Sequence, residues 1–262
     1  MAIRQRIGAP TIVQTQFWSF SIIGMVQHVA IWSHAEITTL PRQSVTALVA
    51  CSAESHPTQE VRVSVWRGVP LSTLLSSVQI APAAHFARLH CADGFTSLLP
   101  REMLDRAVLA LEPIDVPPSP DDGCPARLVV PGCCGYKQAK WLERIEMIAA
   151  PVGGMWEERG ASLDGRLQAT SSFRSAPEGD RLRLSGTAFA LGGFSEIQMS
   201  IGDGGWMPLS IAPVLTDDGG VSAVDWNVVW TPPHTGNHTV RLRLCPAQGG
   251  APRSIVRNVT VP

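Results

Sequence analysis

Residues 127–148 read RLVVPGCCGYKQAKWLERIEMI and hold both lysines of the chain, Lys137 and Lys140, together with its single tyrosine, Tyr136. Every other cation among the 21 Lys and Arg is an arginine. A Gly-rich turn that sets two compact ammonium groups beside flexible backbone N–H donors suits a phosphate or another small anion. The same residues also fit a solvated turn whose lysines make no special contact. On composition alone both readings stand.

Just upstream, PIDVPPSPDDG (113–123) has four prolines and no apolar period, so it reads as an exposed loop from which ARLVV (126–130) re-enters a core. Further towards the N-terminus the segments are mixed. Apolar runs at Phe20–Val26 and Val45–Cys51 predict strands. Helices are expected over Val29–Leu40, over Leu71–Val78 after the Gly68–Pro70 turn, and from near Pro100 through RAVLALE (106–112). Beyond about residue 160 the pattern changes to alternation: RLRLSGTAFA, SEIQMSIG, WMPLSIAPV, DWNVVW, HTVRLRLC and SIVRNVTV, separated by DGG, DDGG, TGN and QGG turns. Strands at that spacing predict an antiparallel sandwich. The expected class is α+β, with a mixed domain over 1–155 and an all-β domain over 156–262.

The chain has 262 residues, of which 45% are hydrophobic and 16% charged, which excludes a disordered or fibrous protein and leaves room for two cores. A net charge of −1 provides no basic field for a nucleic-acid backbone, so nucleic acid is not an expected partner. Arg4 and Arg6 precede an apolar stretch, but Gln14, Gln16, Gln27 and His28 interrupt it. Neither a signal peptide nor a membrane span is expected. The six cysteines contain no C-x-x-C pair, so reduced thiols are expected rather than a zinc ribbon or a redox dithiol. His234 and His238 are spaced i,i+4, but PPHTGNH reads as a turn, and both are expected at the surface.

The element VVPG-x-x-G-Y-K-x-x-K-W-L-x-R-I, preceded by DGCPARLVVPG, resembles the signature that ends the molybdopterin domain of sulfite oxidases and their bacterial relatives. SIIGMV, TALVACSAE, VWRGVPLSTLL, ADGF and VLALE follow the order of that family's elements. The second half, with GTAFALGGFSEIQMSIGDGGWMPL and DWNVVWTPPHTG, is similar to its immunoglobulin-like dimerisation domain. The resemblance implies a Mo-molybdopterin cofactor, with Cys51 as thiolate ligand to molybdenum and catalytic centre. It places Arg4, Asp122, Arg127, Lys137, Gln138, Ala139 and Lys140 at cofactor-contacting positions. A soft thiolate suits a metal already held by dithiolene sulfur, whose redox potential it tunes. Cys91, Cys124 and Cys245, and the adjacent Cys133 and Cys134, read as packing residues.

Several positions depart from the family pattern. Gln5 and Arg6 follow Arg4 where the family has asparagine and histidine, and Glu54, Ser55 and His56 follow the metal cysteine where sulfite oxidases place asparagine and arginines. Leu111 replaces an active-site tyrosine, Gln138 a cofactor-contacting serine, and Asp122 a histidine or asparagine. An anionic Glu54 near the metal opposes sulfite. The resemblance therefore implies oxygen-atom transfer on a substrate other than ordinary sulfite, with electrons passed to an external acceptor such as a c-type cytochrome, because no C-x-x-C-H haem motif is present. The alternative is a non-catalytic subunit that keeps the fold as an interaction module. Either form implies a homodimer or a heteromeric complex through the C-terminal sandwich. The compartment stays open: periplasmic if it follows exported relatives, cytoplasmic otherwise.

Overall fold

The computed structural model describes residues 13–50, 61–114 and 116–261. Cys51 and Arg4, and with them Glu54, Ser55 and His56, lie outside the described residues. The chain divides into two compact units, with Arg166 closing the first and Leu167 opening the second stretch. Residues 156–166 thus pack with the first unit.

The first unit begins with β1 (Ser19–Gly24) and β2 (Ala30–Ser33), a short helix α1 (His34–Thr39), then β3 (Gln43–Ala50) and β4 (Val61–Pro70). Helix α2 (Leu71–Leu75) and strands β5 (Phe86–Cys91), β6 (Thr96–Pro100), β7 (Val108–Pro113), β8 (Arg127–Val129) and β9 (Leu142–Ile148) complete it. They form two sheets, ordered β2-β1-β9-β5-β6 and β3-β4-β7-β8. In β5 the burial alternates, so Ala87, Leu89 and Cys91 face the core. Arg88 and His90, on the other face, converge on Glu146 of β9, with Arg88 Nη2 at 2.6 Å and His90 Nε2 at 2.9 Å from its Oε2. Phe20, Ile22, Leu89, Ile145 and Met147 are completely buried in the main core. Each such side chain contributes about 1.5–3 kcal/mol.

Two expected helices are corrected. Val29–Leu40 is not one helix: Ala30–Ser33 pairs antiparallel with β1, Ser33 opposite Ser19 and Ala30 opposite Ile22. The helix starts only at His34, where Ser33 Oγ accepts from the Glu36 amide and the Glu36 carboxylate accepts from the Ser33 amide in a capping box. RAVLALE is likewise not helical. A 3-10 turn covers Arg101–Arg106, and Val108–Pro113 is a strand between β4 and β8. Val108, Leu109, Ala110 and Leu111 are all buried, and a strand covered on both faces loses the period-two pattern that distinguishes it from a helix. With α1 and α2 the only α-helices among the described residues, the unit is mostly β-sheet.

The second unit is entirely strands: β10 (Thr170–Ser171), β11 (Arg174–Glu178), β12 (Arg181–Leu191), β13 (Phe194–Ile201), β14 (Met207–Pro208), β15 (Ile211–Thr216), β16 (Val221–Trp230), β17 (Gly236–Pro246) and β18 (Arg253–Val261). One sheet runs β10-β12-β16-β15 with β11 on β12, and the other β14-β13-β17-β18. Leu184 and Trp226 from the first sheet share one core with Ile197, Met199, Val240, Leu242 and Leu244 from the second. Trp226 buries its ring and donates Nε1–H to Ser171 Oγ at 2.8 Å. WMPLSIAPV, expected as one strand, splits: Met207–Pro208 pairs with β13 in one sheet and Ile211–Thr216 with β16 in the other. His238 is not a surface residue. It is buried on β17, donates Nε2–H to the His234 carbonyl at 2.9 Å, and sits edge-on to Trp230 at 4.8 Å. Among the described residues no group of three or more His, Cys, Asp or Glu could hold a metal, and no helix is long and apolar enough to cross a membrane.

Candidate functional site

The basic turn joins the two sheets of the first unit. Strand β8 ends at Val129 on the edge of one sheet, and β9 begins at Leu142 in the middle of the other, so residues 130–141 must cross between layers. Gly132 adopts φ 80°, the left-handed region open to glycine without strain. The crossing is held mainly by main-chain bonds: the Leu128 amide donates to the Ala139 carbonyl at 2.8 Å and the Leu142 amide to the Ala126 carbonyl at 3.0 Å.

Arg127 stands at the start of β8 and is almost fully buried. Its Nη1 donates to the Asp122 carbonyl and its Nη2 to the Gln138 carbonyl, both at 2.9 Å, while Nε is buried without a hydrogen-bond partner. The guanidinium lies over the Trp66 ring, 4.9 Å from its centroid. Burial pulls its pKa down to about 10 against the opposing pull of the Asp122 charge, so at neutral pH it remains a cation. No carboxylate forms a salt bridge with it among the described residues.

The other expected contacts divide into groups. Lys140 is buried, donates Nζ–H to the Asp121 carbonyl and lies 5.6 Å from the Trp141 ring centroid. Asp122 uses its carboxylate to accept from Ser119 Oγ at 2.7 Å and its carbonyl to accept from Arg127. The Gln138 side chain is spent within the turn: Oε1 accepts from the Val130 amide, and Nε2 donates to the Val130 and Cys133 carbonyls. Ala139 contributes its main chain. Arg127, Asp122, Gln138 and Lys140 are therefore brought together, whereas Lys137 is turned elsewhere.

Lys137 is completely buried, with Nζ donating to the Leu98 carbonyl and to Glu157 Oε1 at 2.5 Å. Burial lowers its pKa, and the Glu157 carboxylate pulls it back up. Glu157 was not singled out in the sequence, because nothing in the spacing of Lys137 and Glu157 marks them as partners. Leu111, where the family has a tyrosine, is buried, and its carbonyl receives the Cys124 thiol at 4.0 Å. The five described cysteines are free thiols, and burial pushes Cys133 up to about 12, which keeps it protonated and unreactive.

Tyr136 gives a direct check on this geometry. Its hydroxyl donates to the Ser162 carbonyl at 2.8 Å, and burial, reinforced by nearby acidic groups including Glu157, raises its pKa well above that of a free phenol. Being the only tyrosine, it can be titrated alone by ultraviolet absorbance. The native protein is expected to show no tyrosinate at a pH about one unit above the ordinary value of ~10. The raised pKa contributes stability that is complete below the unfolded value and is lost as pH rises towards the folded one. Ionisation at the ordinary value with the fold intact would contradict the burial of the phenol.

The family described as Oxidoreductase molybdopterin binding domain matches residues 7–156. The chain is 26% identical over 150 residues to the Uncharacterized oxidoreductase YuiH of Bacillus subtilis (strain 168), covering 56% of this chain and 74% of that protein. It is 28% identical over 158 residues to Inducible nitrate reductase (NADH) 2 of Glycine max, covering 49% of this chain but only 18% of the plant enzyme. Among solved structures, the Sulfane Dehydrogenase SoxCD from Paracoccus pantotrophus shares the fold, with a TM-score of 0.72 and 21% identity over 95% of this chain and 71% of that one.

Proposed function

Because the chain belongs to the oxidoreductase molybdopterin-binding family of the sulfite oxidase type, we propose that the crossing between β8 and β9 holds the phosphate end of a molybdopterin and that the protein is a molybdenum oxidoreductase. The observation that carries this reading is Arg127: a buried cation, held by two carbonyls and, among the described residues, by no salt bridge, with Nε unpartnered. A buried donor left without an acceptor costs about 1–3 kcal/mol or more, and an anionic ligand removes that cost. Arg127 and Lys140 fit the group and would hold it, supported by the main chain of Asp122, Gln138 and Ala139. Lys137 does not fit as a phosphate ligand, since Glu157 already neutralises it.

When bound, the cofactor supplies a molybdenum centre for two-electron oxygen-atom transfer. Cys51 is the proposed thiolate ligand, and Arg4 a further cofactor contact. The substrate is not ordinary sulfite, in keeping with Glu54, Ser55 and His56 where sulfite oxidases place asparagine and arginines, and with Leu111 where they have a tyrosine. Electrons leave to an external acceptor such as a c-type cytochrome. The second unit, two antiparallel sheets around one core, is in keeping with an immunoglobulin-like sandwich that pairs with a second copy or with another subunit.

A second reading is favoured by the side chains already spent inside the protein. Gln138 is satisfied by the turn itself and Lys137 by Glu157, which suits a non-catalytic subunit whose site has become structural. Elemental mass spectrometry of protein made in a host that synthesises molybdopterin separates the two. Close to one molybdenum per chain, lost or spectrally altered in Cys51→Ala, is the expected result. Metal-free, well-folded protein favours the structural subunit.

A further inference from the structure

The ammonium of Lys137 and the carboxylate of Glu157 share a closed set of partners on β6. Glu157 Oε1 accepts from Lys137 Nζ, from Ser97 Oγ at 2.7 Å and from the Leu98 amide at 3.0 Å, while the Leu98 carbonyl accepts from the same Nζ. Glycine stands where either partner needs room. A Cβ on Gly165, at φ +55°, would lie 2.4 Å from Lys137 Cγ, and one on Gly154 would lie 2.4 Å from Glu157 Oε2. Atoms at that separation cannot coexist, so a side chain at either glycine displaces the pair.

The pair also ties one segment to another. Residues 154–166 cross the start of the basic turn through further bonds: Tyr136 Oη to the Ser162 carbonyl, and the Cys134 amide to the Gly165 carbonyl, each at 2.8 Å. On the far side, the residue after Lys137 is Gln138, whose carbonyl receives Arg127 Nη2. Holding Lys137 therefore fixes the backbone that orients Arg127. For Lys137 to reach a ligand it must abandon Glu157, whose Oε2 is already buried without a partner, and leave a buried charge uncompensated.

We propose that Lys137 is a positioning residue: paired with Glu157, it locks segment 154–166 across the basic turn and makes no contact with the anion held there. This rests on the turn being the phosphate-holding part of a molybdopterin site. It separates the two lysines of the signature into one that meets the ligand, Lys140, and one that holds the turn in shape.

Because the chain has only these two lysines, 15N-lysine labelling of the full-length protein resolves them. Nζ spectra are compared with and without molybdopterin, and Lys137→Met and Lys140→Met assign the signals. The expected result is a Lys137 signal protected from exchange and unmoved by loading, with Lys140 shifted. A Lys137 signal that shifts as far as that of Lys140 overturns the proposal. If pterin is bound and neither signal moves, the reading of the turn itself fails.

The paired substitution gives a second, independent readout. Lys137→Met alone should lose most of its pterin, whereas Lys137→Met with Glu157→Leu should return to within about twofold of the wild-type content, since an apolar pair of similar volume can replace a buried ion pair. A folded double variant as empty as Lys137→Met overturns the proposal.

Discussion

Glu157→Leu lowers the stability of the first unit by about 3–5 kcal/mol, because it strands a fully buried ammonium. The gain in apolar area from leucine, about 1.5–3 kcal/mol for a fully buried side chain, does not offset an unpaired charge. Nor can Lys137 snorkel to water: its side chain is completely buried, and its stem lies against Gly165. At roughly 2–4 °C per kcal/mol for a unit of this size, the expected fall in Tm is on the order of 10 °C. A denaturant or thermal melt followed by the summed fluorescence of the eight tryptophans, wild type beside variant, measures the loss. A loss below about 0.5 kcal/mol, the size of an ordinary surface substitution, would contradict the buried pair.

The second large effect falls on ligand binding rather than on the fold. Arg127→Met removes the guanidinium that donates to the Asp122 and Gln138 carbonyls, with its unpartnered Nε, while keeping an unbranched apolar stem against Trp66. A charge-assisted hydrogen bond contributes about 1.5–3 kcal/mol, so pterin affinity is expected to fall roughly 10- to 100-fold. The carbonyls of Asp122 and Gln138 lose their donor, at about 1–3 kcal/mol, but relief from burying a cation acts in the opposite direction. Stability should therefore change less than affinity. Arg127→Lys keeps the charge but cannot reach both carbonyls and a ligand from one fork, so only partial recovery is expected. Equal pterin retention in wild type and Arg127→Met would remove Arg127 from the site.

Parts of this structure were legible in the sequence, and the reasons differ by element. The long strands of the second unit announced themselves because one face meets a core and the other solvent, as in β17 with Val240, Leu242 and Leu244 inward and Arg241 and Arg243 outward, whereas β11 and β14, exposed along almost all their length, carry no such alternation. Strand β7 did not, since Val108–Leu111 is covered on both faces and its apolar run fits a helix equally well. The boundary between β2 and α1 was readable but missed: Ser33 and Glu36 stand in the S-x-x-E spacing of a capping box, inside the stretch expected to be one helix.

The site was legible as a place more than as a set of roles. The turn around Lys137 and Lys140 stands out because lysine is otherwise absent, yet two ammonium groups three residues apart look alike until their partners are known. Glu157 lies 20 residues further on, and Gly154 and Gly165 carry no motif, so only tertiary packing distinguishes the two lysines. The buried His238, held by the His234 carbonyl and Trp230, was hidden for a similar reason: a turn read as polar folds back on its own strand.

In the proposed oxidoreductase, the crossing between β8 and β9 holds a molybdopterin through Arg127 and Lys140. Pterin released by oxidative denaturation and counted by fluorescence per chain, in protein from a host that makes the cofactor, tests it most directly. Close to one pterin per wild-type chain, with a lower content in a folded Arg127→Met variant after the same extended dialysis, is the predicted result. A folded wild-type chain without pterin, or equal pterin in both proteins, would contradict it.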